Sequence, residues 1–354
     1  MAKFHSLKVK SLTRPTEESV ALTFEIPQDL SEDFKFIQGQ HLTLKKDING
    51  EDTRRSYSIC SCPLDPDITV AIKKIDGGAF STYANDKLQV GDTIEVMPPH
   101  GNFYVPLDPK NERSYVAFAS GSGITPILSI IETTLRTEQK SEFTLFYGNR
   151  KSGTIIFQEE LEALKNRFMG RFSLYHVLSK ERQESDLFNG RIDHKKIESF
   201  SRVFFDATKV DHFFTCGPEE MMLAVKDQLK QLNVPEDRIH LELFTSPVGK
   251  LGTDKKEVKH SKAQAEITVV LDGNTFTFPY DSDQSILDVA FENGADLPYA
   301  CKGGVCSTCV ACVEEGEVEM EVNYALEPDE LKRGLVLSCQ AFPKTEKVTL
   351  NFDV

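Results

Sequence analysis

The stretch Pro298–Cys312 reads Pro-Tyr-Ala-Cys-Lys-Gly-Gly-Val-Cys-Ser-Thr-Cys-Val-Ala-Cys, and it carries four of the eight cysteines in this 354-residue chain. Within it, Cys301, Cys306 and Cys309 follow the spacing Cys-x4-Cys-x2-Cys. A loop with this spacing takes its fourth thiolate from far downstream. Cys339, in Val-Leu-Ser-Cys-Gln, stands in that place. The stretch therefore predicts a metal site with four thiolate ligands around which the C-terminal part of the chain folds.

The spacing is that of plant-type [2Fe–2S] loops, in which close backbone wrapping aims N–H groups at sulfur, as Gly303 and Gly304 would allow. Three alternatives remain open. Four cysteines also suit a structural zinc ion, although zinc sites usually pair two Cys-x2-Cys motifs. A disulfide framework is typical of small secreted chains. Cys312 also makes a local ligand set of residues 301, 306, 309 and 312 conceivable; otherwise it is a small core residue.

The composition indicates an ordinary globular protein of two or three domains, with 40% hydrophobic and 27% charged residues. The most apolar run, Tyr115–Ile131, is interrupted by Ser, Gly and Pro, which favours a buried strand and helix over a membrane span. No apolar signal core follows Met1, so we expect a cytoplasmic protein with no membrane partner. The net charge of −14 argues against nucleic acid as a partner.

The acidic charge is concentrated at the C-terminal end. From Gln264 onward there are 17 Asp and Glu against 5 Lys and Arg, a net charge of −12, so the first 263 residues carry only −2. Such a module can be steered toward a basic docking face on a partner. The charge can equally serve only to keep a small domain soluble.

Residues 1–105 predict a small antiparallel barrel, because they contain short alternating segments bounded by turns. The segments are Val20–Ile26, His41–Lys45, Ile68–Lys73 and Thr93–Met97.

Two segments of this barrel have the chemistry of a site for a flat, phosphorylated ligand. Arg54-Arg-Ser-Tyr-Ser-Ile59 combines arginines, a ring and hydroxyls that can stack on a planar group and pair with phosphate. Gly77-Gly-Ala-Phe-Ser-Thr82 places glycines at a predicted helix start, where free N–H groups suit a pyrophosphate. Each segment alone is also typical of a strand surface or a turn.

Residues 106–245 alternate strands and helices, which predicts a doubly wound parallel sheet. The predicted strands are Ser114–Ala119, Glu142–Tyr147, Leu174–Leu178 and one beginning at His212; the predicted helices are Ile127–Leu135, Phe157–Phe168 and Glu219–Leu232. Ligands bind at the carboxyl ends of such strands. The residues expected there are Gly121, Gly123, Thr125, Pro126, Cys216, Gly217 and Pro218.

Arg150 and Lys151 follow the second strand of this sheet, near the expected position of an adenosine ribose. Arginine there accommodates a 2′-phosphate, whereas an acidic residue would favour a free 2′-hydroxyl. The pair therefore predicts NADPH rather than NADH; an exposed basic turn is the alternative.

Residues 246–263 are polar, with five lysines and two glycines, and predict a flexible linker. Residues 264–354 then predict a compact mixed fold, and the likeness of their cysteine spacing to plant-type [2Fe–2S] loops implies an α+β module of the β-grasp type. Its signals are a hairpin around Asp272-Gly-Asn and a helix Ile286–Asn293 capped by Ser285. The predicted architecture is thus multidomain: a barrel, an α/β domain and a ferredoxin-like module.

Four motifs in series resemble those of the ferredoxin–NADP reductase superfamily: Arg55-Ser-Tyr-Ser, Gly78-x-x-Ser81-Thr82, Gly121-Ser-Gly-Ile-Thr-Pro and Cys216-Gly-Pro-x-x-Met. With the plant-type module behind them, the chain is similar over nearly its whole length to the family of phenylacetyl-CoA epoxidase reductase subunits. That closer likeness rests on Phe4-His-Ser-Leu, Gly39-Gln-His-Leu-Thr-Leu, Tyr147-Gly-Asn-Arg, Pro298-Tyr-Ala-Cys-Lys-Gly-Gly-Val-Cys and Leu326-Glu-Pro-Asp-Glu-Leu.

The resemblance implies that the barrel binds FAD, with Tyr57 packed on the isoalloxazine ring and Ser58 near flavin N5. The other flavin contacts that it implies come from Arg55, Ile59, Gly77, Gly78, Ser81 and Thr82. The predicted strand-end residues would hold the nicotinamide nucleotide, with Cys216 near the nicotinamide ring. Glu242-Leu-Phe244 stands where the superfamily often has Glu-x-Tyr, so Phe244 keeps a stacking face without the hydroxyl. Ser58, Cys216 and Glu242 are the implied catalytic residues.

The implied function is an oxidoreductase that passes electrons from NADPH through FAD and the [2Fe–2S] cluster to a partner. The implied partner is the di-iron oxygenase of a phenylacetyl-CoA epoxidase complex, a multicomponent epoxidase of phenylacetate catabolism. One alternative is the reductase of another oxygenase, such as a phthalate-dioxygenase type with FMN and NADH. Another is a metal-stabilised interaction module without electron transfer.

Overall fold

A computed structural model describes residues 4–244 and 263–353. These residues form two compact units, one built mainly from residues 6–244 and the other from residues 263–353. The predicted linker lies, apart from Ala263, outside the described residues. Within the described ranges, no helix has the length and apolar character needed to cross a membrane.

The first sheet is an antiparallel barrel, as predicted. Its strands are β1 (His5–Thr16), β2 (Ser19–Glu25), β3 (His41–Ile48), β4 (Glu51–Ser58), β5 (Ile68–Lys73) and β6 (Thr93–Val96), in the order β4-β3-β6-β1-β2-β5. Ile59 bridges Val70, and the Cys60 N–H donates to the carbonyl of Thr69 (2.9 Å), which joins the two edge strands. Helix α1 (Ala79–Asp86) begins directly after the Gly77-Gly78 pair and buries Phe80 in the barrel core.

The second sheet is parallel and carries helices on both faces. Its strands are β7 (Ser114–Ser120), β8 (Glu142–Asn149), β9 (Phe172–Leu178), β10 (His212–Gly217) and β11 (Ile239–Leu243), in the order β11-β10-β7-β8-β9. Its helices are α2 (Ile124–Thr137), α3 (Gln158–Arg167), α4 (His194–Val203) and α5 (Glu219–Gln231). Successive side chains of a strand point to opposite faces. Accordingly, Tyr115 and Ala117 enter one core while Val116 and Phe118 enter the other.

Two helices differ from the sequence prediction. Helix α2 begins at Ile124, three residues before the predicted start, because Pro126 lies in the first turn, where a missing N–H costs nothing. Helix α4 has no counterpart among the predicted elements. Only Ile197 and Phe200 of its ten residues are buried, so its apolar periodicity is sparse.

Helix α2 also packs on the barrel, which belongs to the same compact unit. The Ser129 hydroxyl donates to the carbonyl of Ser61 (2.7 Å), and Arg136 pairs with Asp65 (2.7 Å). Arg136 also contacts Glu132 on its own helix (3.1 Å). These contacts attach α2 to the barrel.

The C-terminal unit is a mixed sheet with one main helix. Its elements are β12 (Ala263–Leu271), β13 (Asn274–Ser282), α6 (Ile286–Glu292), β14 (Val310–Glu315), β15 (Val318–Met320), α7 (Pro328–Lys332), β16 (Leu335–Leu337), β17 (Ala341–Pro343) and β18 (Lys347–Asn351). The five-stranded sheet has the order β13-β12-β18-β14-β16, with β12 and β18 parallel.

Two predicted local features of this unit are confirmed. Asp272 and Gly273 turn the β12–β13 hairpin with φ angles of 52° and 71°, the pair of positive values that a type I′ turn needs. The Ser285 hydroxyl accepts a hydrogen bond from the Asp288 N–H (3.2 Å) and so caps α6.

Candidate active site and cluster-binding loop

Ser58, Cys216 and Glu242 meet where the barrel joins the parallel sheet. Ser58 ends β4, while Cys216 and Glu242 are paired neighbours on β10 and β11. The Ser58 hydroxyl donates to Glu242 Oε2 (3.1 Å), and Cys216 Sγ lies 4.0 Å from the same oxygen. The structure thus brings the three predicted catalytic residues together.

Burial sets the protonation state of this group. Desolvation raises the pKa of the Glu242 carboxyl to about 8, and the hydrogen bond from Ser58 opposes part of that rise. Burial also raises the pKa of the Cys216 thiol well above its usual value. Near neutral pH, the site therefore presents a neutral thiol and a carboxyl that can hold or release a proton.

The predicted flavin-binding residues surround the end of β4 and the start of α1. Arg55 and Tyr57 are half-buried on β4, and the Tyr57 ring lies 5.6 Å from the ring of Phe80. Gly78 is the N-cap of α1. Gly77 has a φ of 72°, and Thr82 donates its N–H to the Gly78 carbonyl (3.0 Å). A ring, a guanidinium and a helix start have the chemistry that a flavin nucleotide requires.

Two of these residues are already engaged within the barrel. The Ser81 hydroxyl donates to the Gly78 carbonyl (3.2 Å) and accepts from the Ile75 N–H (3.2 Å). Ile59 is fully buried and holds the barrel closure through its bridge to Val70. The Ser81 side chain therefore shapes the loop that leads into α1.

The glycine loop after β7 lies against the end of β10. A Cβ on Gly123 would lie 2.1 Å from the Cys216 carbonyl oxygen, so this approach requires glycine. The Tyr147 hydroxyl donates to the Gly121 carbonyl (2.9 Å) and holds the loop from β8. The Thr125 hydroxyl donates to the Ser122 carbonyl (3.0 Å). The two predicted nucleotide segments therefore form one surface at the carboxyl edge of the sheet.

The remaining predicted residues flank this surface. Gly217 ends β10, and Pro218 is the N-cap of α5, whose first turn carries Glu219 and Glu220. Phe244 follows β11 and is 41% exposed, which leaves its ring available for stacking.

The basic turn after β8 has an acidic neighbour that the sequence prediction missed. The Lys180 N–H donates to the Arg150 carbonyl (2.8 Å), which brings the segment after β9 alongside. Glu181 then accepts hydrogen bonds from the Ser152 N–H (2.9 Å) and hydroxyl (3.0 Å). The Ser152 N–H and hydroxyl lower the pKa of the Glu181 carboxyl. An acidic group is therefore present beside Lys151, although none precedes Glu159 in the turn's own sequence.

The four predicted cluster ligands form two pairs, three of them in the cysteine loop (residues 301–309) and the fourth at Cys339. The Cys301 and Cys306 thiols hydrogen-bond to each other, and so do the thiols of Cys309 and Cys339. Within each pair the hydrogen bond lowers the pKa of one thiol, Cys301 or Cys339, and raises that of the other.

The spacing of these sulfurs distinguishes one metal ion from two. Four sulfurs bound to a single zinc at about 2.3 Å would lie about 3.8 Å from one another. Across the described ranges, no three of these cysteine sulfurs lie within 4.8 Å of each other. Two thiol pairs fit a two-iron cluster, with one pair on each iron.

Backbone geometry supports the same arrangement. The Gly303 N–H donates to Cys301 Sγ (3.3 Å). Lys302 and Ser307 adopt positive φ angles of 50° and 48°, strained values that often occur at ligand-binding loops. Cys312 lies elsewhere, on β14, with its Sγ 3.7 Å from the Arg333 carbonyl oxygen.

Three family models match the chain. They are described as an oxidoreductase FAD-binding domain (residues 6–104), an oxidoreductase NAD-binding domain (residues 118–227) and a 2Fe-2S iron-sulfur cluster binding domain (residues 269–344). The chain therefore carries domains for FAD, a nicotinamide nucleotide and a [2Fe–2S] cluster, which confirms the predicted classes of cofactor.

Full-length relatives are components of oxygenase systems. The chain is 46% identical over 354 residues to a subunit of the 1,2-phenylacetyl-CoA epoxidase of Escherichia coli (strain K12), covering 100% of this chain and 99% of the relative. It is 31% identical to the ferredoxin reductase component of 3-ketosteroid-9-alpha-monooxygenase from Rhodococcus rhodochrous, covering 98% and 96%.

A solved structure matches the fold along nearly the whole chain. Phthalate dioxygenase reductase matches with a TM-score of 0.60 and 25% identity, covering 99% of this chain and 98% of that chain. The predicted oxidoreductase function and multidomain architecture are thus confirmed. The chain belongs to the ferredoxin–NADP reductase superfamily, in the family of oxygenase reductase components that includes the 1,2-phenylacetyl-CoA epoxidase relative from Escherichia coli.

Proposed function

We propose that this chain is the reductase subunit of a phenylacetyl-CoA epoxidase complex in phenylacetate catabolism. The observation that supports this proposal most strongly is the 46% identity to the Escherichia coli epoxidase relative across all of this chain and 99% of that relative. The partner would be a di-iron oxygenase subunit, which does the substrate chemistry. Because the cluster ligands and the other free cysteines must stay reduced, we place the protein in the cytoplasm.

We propose domain boundaries of 1–105 for the FAD-binding barrel, 106–245 for the nucleotide domain, 246–263 for the linker and 264–354 for the ferredoxin module. The proposed cluster ligands are Cys301 with Cys306 and Cys309 with Cys339. The pairing of the thiols and the Gly303 N–H aimed at Cys301 support this set.

A bound FAD would supply the chemistry of taking up one hydride, which carries two electrons, and of releasing those electrons one at a time. The chain's own residues prepare the junction for that exchange. Tyr57 and Phe244 offer stacking faces, and the buried Cys216 thiol stays neutral, which favours an uncharged ring beside it. The Glu242 carboxyl holds a proton below about pH 8, and the hydrogen bond from the Ser58 hydroxyl to its Oε2 links this proton-holding group to the barrel.

We propose NADPH as the preferred nucleotide. The Lys180 N–H donates to the Arg150 carbonyl, so the backbone segments that carry Arg150, Lys151 and Lys180 are neighbours at the ends of β8 and β9. Glu181 opposes these cations with one negative charge, held by Ser152. Three cationic residues and one carboxylate leave a positive net charge in this region, which suits the negative charge of a 2′-phosphate.

Reconstitution tests the proposed partner. The purified chain is mixed with the oxygenase subunits of a phenylacetyl-CoA epoxidase, and NADPH oxidation is measured with and without phenylacetyl-CoA. We expect oxidation coupled to epoxide formation. The assignment would be overturned if NADPH oxidation were coupled to the oxygenase component of a 3-ketosteroid monooxygenase and not to the epoxidase. That result would favour the reductase components of 3-ketosteroid monooxygenases.

A further inference from the structure

Gln340 directly follows Cys339 and folds its side-chain amide back over the cysteine loop. Its Nε2 donates to the Cys339 carbonyl (2.8 Å) and to the Lys302 carbonyl (3.1 Å). The same Nε2 lies 3.7 Å from Cys339 Sγ, so its two hydrogens are shared among two carbonyl oxygens and the sulfur. One amide nitrogen thus joins two parts of the loop that are distant in sequence and also reaches a ligand sulfur.

The side chain is held in this position from both sides. A Cβ on Gly304 would lie 3.2 Å from Gln340 Cγ, so the loop backbone packs directly on the glutamine stem. The Gln340 carbonyl accepts the Glu321 N–H (2.9 Å), which fixes its backbone. Nε2 is therefore constrained near the Cys339 sulfur and is not a freely rotating surface amide.

A contact between an N–H donor and a ligand sulfur shifts the reduction potential of a cluster in one direction, toward more positive values. A thiolate ligand gains negative charge when the cluster takes up an electron, and an N–H donor stabilises the more negative form more strongly. Hydrogen bonds to the sulfurs are one of the means by which a protein sets a cluster potential. The Gly303 N–H serves Cys301 in the same way at the other pair of thiols.

We propose that Gln340 is a positioning residue that raises the reduction potential of the [2Fe–2S] cluster through its amide contact with Cys339 Sγ. The proposal rests on the proposed ligand role of Cys339. This contact makes the cluster a better electron acceptor from the flavin. The hydrogen bonds of the same amide to the Lys302 and Cys339 carbonyls hold the two segments together.

The test is a dye-mediated reductive titration of the complete holoprotein, read by the EPR signal of the reduced cluster and accompanied by iron analysis. Gln340→Met keeps the side-chain volume and removes the donor; Gln340→Glu keeps the shape, removes the donor and adds a negative charge. Gln264→Met, an exposed change on β12, is the matched control.

We expect both Gln340 variants to retain wild-type iron and to titrate at more negative potentials, with Gln340→Glu shifted further. The equilibrium constant for reduction of Gln340→Met should fall by up to about tenfold, which is about 59 mV for one electron. The control should titrate like wild type.

An unchanged or more positive potential in iron-replete Gln340→Met would overturn the proposal. Loss of iron from Gln340→Met would also overturn it, by showing that the amide only holds the loop together. Cys339→Ser distinguishes failure of the ligand assignment, because that variant would then keep both its iron and its potential.

Discussion

Ser58 and Glu242 are 184 residues apart in the chain, yet the Ser58 hydroxyl donates to Glu242 Oε2 across 3.1 Å. The contact joins the last residue of a barrel strand to the edge strand of the nucleotide domain. It makes one proton-holding group from two domains, and burial raises the pKa of its carboxyl to about 8.

The first prediction follows from that pKa. A carboxyl with a raised pKa keeps its proton below about pH 8 and loses it above, so turnover that uses this proton should decline as the pH rises through 8. Glu242→Gln preserves the shape and cannot exchange a proton. We expect NADPH-dependent reduction of a small acceptor dye to fall about 100-fold and to become flat with pH.

The measurement is dye reduction from about pH 6.5 to about pH 9.5, a range that brackets the carboxyl pKa, at saturating nucleotide and with flavin content matched between wild type and variant. Ser58→Ala, which removes the donor to Glu242, should move the wild-type decline toward higher pH, because the hydrogen bond lowers the carboxyl pKa. If Glu242→Gln showed a decline of the same shape, the loss of activity at high pH would come from a different titrating group.

The second prediction concerns the fourth cluster ligand. Cys339 is hydrogen-bonded to Cys309, whereas Cys312 lies on β14 against the Arg333 carbonyl. Cys339→Ser should lose most bound iron, and Cys312→Ser should retain it, as measured by iron analysis and visible absorbance. An empty site in Cys312→Ser beside a full one in Cys339→Ser would reverse the assignment.

The third prediction concerns nucleotide choice. Arg150→Ala should raise the KM for NADPH more than the KM for NADH, because a charge-assisted hydrogen bond contributes about 1.5–3 kcal/mol. Arg202→Ala, a change at an exposed residue of α4, is the control and should change neither value. Glu181→Gln should act in the opposite direction and lower the KM for NADPH. Equal losses with both nucleotides, or a wild type that prefers NADH, would contradict the NADPH assignment.

The fourth prediction concerns the acidic C-terminal module. Its net charge of −12, against −2 for the rest of the chain, should steer it to a basic face on the oxygenase. Electron transfer to the oxygenase should therefore slow as salt rises toward and beyond about 0.15 M, where fields are screened within about 8 Å. Reduction of a neutral dye at saturating nucleotide serves as the control and should not slow. A partner rate that stays constant with salt would exclude steering.

Local signals in the sequence were sufficient for much of the fold. The Asp272-Gly273 turn, the Ser285 cap and the short apolar segments of β2 and β5 each depend on neighbouring residues, and each appears where predicted. The start of α2 was misplaced because Pro126 is read as a helix breaker, yet proline is tolerated in a first turn.

The features of the site that sequence reasoning alone could not predict depend on contacts between segments that are distant in the chain. The hydrogen bonds between Ser152 and Glu181 depend on the adjacent ends of β8 and β9, so no local pattern predicts them. Family resemblance pointed to Ser58 and Glu242, but their hydrogen bond and the raised pKa emerge only from burial at the domain junction.

The most direct test of the central claim is anaerobic rapid mixing of the holoprotein with NADPH, followed at wavelengths that separate flavin from iron–sulfur absorbance. If electrons pass from the nucleotide through FAD to the cluster, flavin absorbance should fall first and cluster absorbance second. In the same experiment, Cys339→Ser should show the flavin phase without the cluster phase. Flavin reduction in the wild type with no subsequent cluster reduction, in protein that contains its iron, would contradict this account.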